Sequence, residues 1–339
     1  MSRTVLLRAW LDRQFPRQRN DTDIRIEPAS ADASFRRYFR VTPASGASRI
    51  VMDAPPDLED CRPFLRVAAL FRDAGVHVPE VLARDLEQGF LLLSDLGNTT
   101  YLDALDAASA PALYRDANAA LVGIQCASYP GVLPDYDRAL LERELQLFPD
   151  WYVTRHLGAA LEPGQETALR GVFETLLANN LAQARVFVHR DYHSRNLMVV
   201  DGAYPANPGI LDFQDAVYGP ITYDPVSLYR DAYIAWEEEM ELDCVIRYWE
   251  MARRAALPVS DDFDAFYRDY EWMGAQRQLK VLGIFARLCH RDGKDGYLKD
   301  MPRVMAYLRR TCQRYRALTP LARLLDQLEN RPAQNGLTF

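Results

Sequence analysis

Cysteine is scarce in this chain and follows no pattern. Its five cysteines, Cys61, Cys126, Cys244, Cys289 and Cys312, are scattered and odd in number, and no CxxC pair occurs. That argues against a disulfide framework or a zinc site and for free thiols in a reducing compartment, so a cytoplasmic location is expected. Histidine is also sparse, with five in 339 residues. Lysine is missing from the first hundred residues, so the cations available there are arginines. No run of about 18 apolar residues occurs, so no membrane span is expected. The opening "MSRTVLLRAWLDRQF" is interrupted by Arg8, Asp12 and Arg13, too early for a secretory segment, and reads as an amphipathic surface helix. The net charge of −7 gives no general attraction to nucleic acid. A monomer with a small-molecule partner is the expectation.

The composition is that of an ordinary globular protein, 49% hydrophobic and 26% charged. The length suits two lobes. Residues 1–97 read as β-rich. "SFRRYFRV" (34–41) and "SRIVMDAPP" (48–56) read as strands around a turn, and "CRPFLRVAALFRDAG" (61–75) as a helix stopped by Gly75. "HVPEVLARD" and "GFLLLSDLG" follow as two more strands joined near Glu87–Gly89. Residues 98–339 read as mainly helical, with helices over 111–127, 164–184, 224–255 (two helices), 271–290 and 301–315. One β island interrupts them: "NLMVV" (196–200) and "ILDF" (210–213), a hairpin. The fold class expected is α+β, with a β-rich lobe followed by a helical one.

The polar residues concentrate where that hairpin begins. "HRDYHSRNLMVV" places Asp191 five residues before Asn196, and Asp212 ends the second strand. A hairpin brings its two ends together, so Asn196 and Asp212 are expected as neighbours. Two hard oxygen donors suit Mg²⁺, which takes one or two protein oxygens together with phosphate and water. Asp191 would then stand close enough to orient a hydroxyl and accept its proton during phosphoryl transfer. The spacing H-x-D-x-x-x-x-N, then strand, turn, strand and Asp, is that of a kinase catalytic loop with its metal-binding Asp. The same residues also suit a polar loop capped for backbone reasons.

"FVHRDYHSRNLMV" followed by "GILDFQDAVYGPITYDPVSL" resembles the aminoglycoside phosphotransferase-like kinases over residues of about 25 to 310. Within that family, "VMDAPP", "LLLSDLG", "FRRYFRV" and "QRQLKVLGIFARL" are similar to the bacterial sugar kinases of cell-wall (peptidoglycan) recycling. Those phosphorylate the anomeric hydroxyl of N-acetylmuramic acid and N-acetylglucosamine. The resemblance implies a protein-kinase-like two-lobed fold that uses ATP and Mg²⁺. Asp191 would be the catalytic base, with Asn196 and Asp212 on the metal. Asp224 would receive the backbone N–H groups of the catalytic loop, although before Pro225 it also fits a helix N-cap. His189 would pack the loop, and His193 could face substrate or phosphate.

The nucleotide would lie against the hinge-like "LLLSDLG", at the backbone of Ser94, Asp95 and Leu96, and under the turn "SADASF" (30–35) with the Ser34 hydroxyl. Most kinases of this fold carry a phosphate-binding lysine on the next strand, and here Met52 or a neighbour holds that place. Arg36, Arg37 and Arg40 are the cations at hand, and one of them, Arg36 among the candidates, is expected to reach the phosphates. For the acceptor, Gln276, Lys280 and Arg287 fall at i, i+4 and i+11 on one helix face with Gly283 between. Tyr233 and Trp236 could stack on a sugar ring, and Asp150 in "LFPDWY" could bind hydroxyls. Rival readings are another acceptor (choline, homoserine, a methylthiosugar or an aminoglycoside, the last served by the acids of "EEEMELD") or a nucleotide-binding pseudokinase module.

Overall fold

The structure is a computed structural model that describes residues 2–15, 24–30, 35–43, 46–200 and 207–329. The chain divides into two compact units. The first joins Met1–Thr99 to Met198–Asp215, and the second joins Thr100–Leu197 to Ala216–Phe339. The first segment of the first unit ends at Thr99. The hairpin, assigned from sequence to the helical lobe, instead belongs largely to the first unit.

In the first unit, α1 (Arg3–Gln14) precedes β1 (Arg25–Ser30), β2 (Arg37–Thr42), β3 (Arg49–Asp53), α2 (Arg62–Asp73), β4 (Val81–Asp85) and β5 (Phe90–Ser94). The strands form one antiparallel sheet in the order β1-β2-β3-β5-β4. Alternation sends Val51 and Leu92 to one face, where they pack with Leu7, Trp10 and Leu11 of α1. The N-terminal helix therefore covers a sheet. β1 was not expected, because Pro28 interrupts its pattern; the register shifts at that residue, on an edge strand where a missing N–H is tolerated. Gly89 closes the β4–β5 turn at φ 71°, and a Cβ there would lie 1.8 Å from the carbonyl oxygen of Ala54. Only glycine fits both the angle and that approach.

The hairpin strands β7 (Leu197–Met198) and β8 (Gly209–Ile210) are short. Their continuation is fixed to the first unit by Val199 N–H on Thr99 O at 2.9 Å and Ile210 N–H on His77 O at 2.7 Å. Phe213 is fully buried, with ring centroids 4.8 Å from Phe64 and 5.9 Å from Phe71, both on α2.

The second unit holds α3 (Tyr101–Ala104), α4 (Ala110–Cys126), α5 (Arg138–Leu147), a π-helical turn over Phe148–His156, and α6 (Pro163–Ala182). After these come β6 (Arg185–Val188), which pairs antiparallel with β9 (Val217–Pro220), then α7 (Tyr223–Tyr229), α8 (Glu238–Arg254), α9 (Phe263–Asp292), α10 (Met301–Arg314) and α11 (Thr319–Leu328). α9 is the central helix. It starts eight residues before the expected Glu271, capped by Asp262, whose carboxylate accepts from Asp264 N–H at 3.0 Å, and it ends at Gly293 in the left-handed conformation. A cluster of buried charges ties α7 to α10. Arg230, 1% exposed, donates to Glu241 at 2.6 Å, Glu271 at 2.8 Å and Thr311 at 2.8 Å. Each of these charges is compensated, which buried ions require.

Candidate active site

The loop from His189 to Asn196 follows β6 directly. Arg190 adopts φ 77°, a strained angle for a residue with a side chain, so the surroundings must hold it. Asp224, fully buried at the start of α7, does so by accepting from His189 N–H at 2.7 Å and Arg190 N–H at 3.0 Å. Burial pushes the Asp224 carboxyl up to about 7, against the lowering effect of those two N–H groups. At the other end of the loop, Asp231 accepts from Ser194 N–H at 2.9 Å and from Tyr233 N–H at 2.8 Å. Asp231 was not singled out in the sequence; its position just after α7 carries no motif.

Inside the loop, His189 Nδ1 accepts from Asp191 N–H at 3.2 Å, and the Asp191 carbonyl accepts from His193 N–H at 3.0 Å and Asn196 Nδ2 at 2.9 Å. Asp191, Asn196 and His193 therefore share one rigid turn. Burial alone would raise the Asp191 carboxyl. The charges of Lys280, His193, Arg277 and Arg190 outweigh it, so the group stays ionised below the usual carboxylate range. Burial holds His193 below its ordinary value, against the pull of Asp231 and Asp191, which keeps it neutral near pH 7. Its ring lies edge-on to Tyr233 with centroids 5.5 Å apart, and the Arg195 guanidinium sits 4.7 Å over the same Tyr233 ring. Phe285 and Tyr297 extend this aromatic wall.

Glu144 is the hidden organiser. It is 4% exposed and accepts from Arg190 at 2.6 Å, from Lys280 at 3.0 Å and from the Tyr136 hydroxyl. Burial pushes its carboxyl up, but Lys280 and Arg190 prevail and keep it ionised. Lys280, expected on an acceptor floor, is 6% exposed, ion-paired to Glu144 and bonded to the Tyr223 hydroxyl at 2.8 Å. It reaches Asp191 through its field. Gln276 likewise donates inward, to Leu141 O at 3.0 Å. Gly283 admits the chain itself: a Cβ there would lie 2.4 Å from the Leu147 carbonyl carbon. Arg287 sits seven residues beyond Lys280, about 10 Å along the helix axis. Asp150 is exposed and accepts from Gln146 at 2.9 Å. The Trp236 indole N–H donates to Tyr114 at 2.7 Å, among core aromatics. Of the residues expected on the acceptor side, the structure groups His193 and Tyr233 with Asp191.

The first unit carries the other expected residues. Met52 is 1% exposed, opposite Tyr38 and Leu91 in the sheet. The three arginines differ. Arg37 pairs with Asp53, which Arg3 also contacts, and Arg40 pairs with Asp95 at 2.6 Å and donates to Gly97 O at 2.9 Å. Arg36 pairs with Glu59 at 3.1 Å, both side chains mostly buried, and burial opposes its charge while Tyr38, Glu59 and Asp212 favour it. Asp212 has φ 59°, and its Oδ1 accepts from Gln214 Nε2 at 2.8 Å. Ser94 N–H donates to Glu80 O at 2.9 Å and its hydroxyl accepts from Glu80 N–H at 2.8 Å, while Leu96 is 9% exposed. Ser34 lies outside the described residues. Among the described residues, no cluster of three or more His, Cys, Asp or Glu side chains is placed to hold a metal ion, and no helix is long and apolar enough to cross a membrane.

Comparison with known proteins adds three findings. Residues 25–259 match the Phosphotransferase enzyme family. An N-acetylmuramate/N-acetylglucosamine kinase of Neisseria meningitidis serogroup B is 50% identical, covering 100% of both chains, and one of Pseudomonas aeruginosa is 52% identical over 89% of this chain and 88% of the other. Among solved structures, a choline/ethanolamine kinase family protein from Mesorhizobium loti superposes with a TM-score of 0.62 at 14% identity, covering 96% of this chain and 100% of that one. The last likeness is one of fold: α+β and protein-kinase-like, as expected from the sequence.

Proposed function

The chain belongs to the phosphotransferase enzyme family, and on that premise we propose that it is an ATP-dependent kinase for the anomeric C1 hydroxyl of N-acetylmuramate and N-acetylglucosamine. The observation that carries the reading is Asp191, ionised and fixed in a loop that Asp224 and Asp231 clamp at both ends. Asp191 orients the acceptor hydroxyl and takes its proton as the γ-phosphoryl transfers in line. By the H-x-D-x-x-x-x-N motif and the Asp that follows it, Asn196 and Asp212 would each offer a hard oxygen of the kind that suits Mg²⁺. When bound, that ion would neutralise charge on the phosphates. Arg36, braced by Glu59 and in the field of Asp212, takes the part of the missing lysine. Since Ser94 N–H is engaged with Glu80, the base is read at the backbone of Asp95 and Leu96. The protein acts in the cytoplasm as a monomer.

Charge favours this acceptor class over a cationic one. The permanent charges acting on Asp191 are Lys280, Arg277 and Arg190, which would repel an aminoglycoside or choline. Three of the acids once available to such a ligand are engaged elsewhere: Glu238 with Arg314, Glu241 with Arg230 and Arg310, and Asp243 with Arg247. A neutral or acidic sugar fits an aromatic wall lined with cations. The test is phosphorus NMR of the products formed from each amino sugar with Mg·ATP. An anomeric phosphate from both is expected. Phosphate at another position, or turnover only of cationic acceptors, overturns the reading.

A further inference from the structure

Arg277 is the charged group near the catalytic loop that the sequence motifs did not mark. It lies on α9, three residues before Lys280, and is 6% exposed. Its Nε makes no hydrogen bond, and among the described residues no carboxylate forms an ion pair with it. Its charge nonetheless acts on Asp191, His193 and Asp224. His193 Nδ1, in the field of that charge, is also buried without a partner. The contrast with its neighbours is chemical. Lys280 is compensated by Glu144, and Arg230, at the end of α7, by Glu241 and Glu271. A guanidinium cannot shed its proton at any ordinary pH, so burying it unpaired is costly unless a partner arrives later.

We propose that Arg277 is a specificity-determining residue that holds the carboxylate of an acid amino sugar while Asp191 faces the anomeric hydroxyl. The inference rests on the acceptor reading above and adds a basis for telling the two sugars apart. In N-acetylmuramate the carboxylate hangs from the oxygen on C3, two ring carbons from the reacting C1, and N-acetylglucosamine lacks it. A cation a short distance from Asp191 therefore meets the acid of one sugar and only hydroxyls of the other. The planar fork of arginine suits a carboxylate in two-point contact.

The test compares kcat/KM for N-acetylmuramate and N-acetylglucosamine in the unaltered protein and in Arg277→Met, Arg277→Lys and Arg254→Ala, the last an exposed arginine paired with Glu250 on α8. Arg277→Met should lose roughly 10- to 100-fold more efficiency with the acid sugar than with the neutral one, mostly in KM, which is the range of one charge-assisted contact. Arg277→Lys should recover part of that preference, and Arg254→Ala should leave the ratio between sugars near that of the unaltered protein. Thermal melting supplies a second readout. An unpaired buried charge replaced by an apolar side chain of similar length should melt no lower than the unaltered protein. Equal losses with both sugars, a shift of the ratio in Arg254→Ala as large as in Arg277→Met, or a marked fall in melting temperature for Arg277→Met would each overturn the assignment. Failure of the unaltered protein to turn over either sugar would sink the acceptor reading, and this inference with it.

Discussion

The two units handle positive charge in opposite ways. In the sheet unit, Arg36, Arg37 and Arg40 each meet a different carboxylate: Glu59, Asp53 (which Arg3 shares) and Asp95. In the helical unit, Arg190 and Lys280 share one carboxylate, Glu144, and Arg277 has none in contact. The first arrangement pins strands together and leaves little net field. The second concentrates unbalanced positive potential around Asp191, where low exposure lets it act over several ångströms. The difference teaches that pairing, more than the number of basic residues, decides where an anionic ligand is attracted.

The largest expected effect comes from removing the chemistry itself. Asp191→Asn should lower kcat by about 10²- to 10⁴-fold, the usual contribution of a general base. Asp212→Ala should cost more, because an anomeric hydroxyl is more acidic than an ordinary alcohol and leans less on its base. Steady-state kinetics of both variants measure this, and negligible losses in both would refute the site.

A second effect belongs to the helical unit and appears in stability. The native state binds the Asp224 proton more tightly than the unfolded chain, since burial raises its value to about 7. That contribution is complete below about pH 4 and is lost as pH rises through 7. It amounts to roughly 3 kcal/mol between pH 5 and pH 8. Asp224→Asn should remove this slope. Urea unfolding of both proteins at the two pH values checks it, and an unchanged slope would show that other groups set the pH dependence.

The smallest effect sharpens the contrast inside the sheet unit. Arg36→Ala should raise the KM for ATP roughly tenfold, as expected for one lost charged contact. Arg37→Ala and Arg40→Ala should lower the melting temperature, since each leaves a buried carboxylate with one partner fewer, and leave that KM within about twofold. Identical KM values in all three variants would separate none of them from a structural role.

Much of this was legible in the sequence where chemistry sits at fixed spacing along a loop. Asp191 and Asn196 share the loop that the motif marks, Asp224 accepts two of its N–H groups, and the larger helices were visible in their apolar period. Other features depended on contacts far apart in the chain. Glu144 sits in "LERELQL", which reads as a solvated helix face, and becomes buried only because Arg190 and Lys280 arrive from 46 residues and more than a hundred residues away. Arg277 carries no motif of its own, and its place near the loop depends on how α9 packs. The hairpin's allegiance to the sheet unit rests on two carbonyls, those of Thr99 and His77, and on Phe213 meeting α2. β1 was obscured by Pro28, and the π-helical turn by Pro149, since both prolines signal breaks.

Gly283 links these observations. With no side chain, it lets the backbone of Leu147 lie directly on α9, so that Glu144 and Lys280 are brought into register by a contact several residues away from either. The cations near Asp191 thus share one mechanical reference point. A methyl group there would meet the Leu147 backbone and lift the helix, moving Lys280 and its partner Glu144 out of step together.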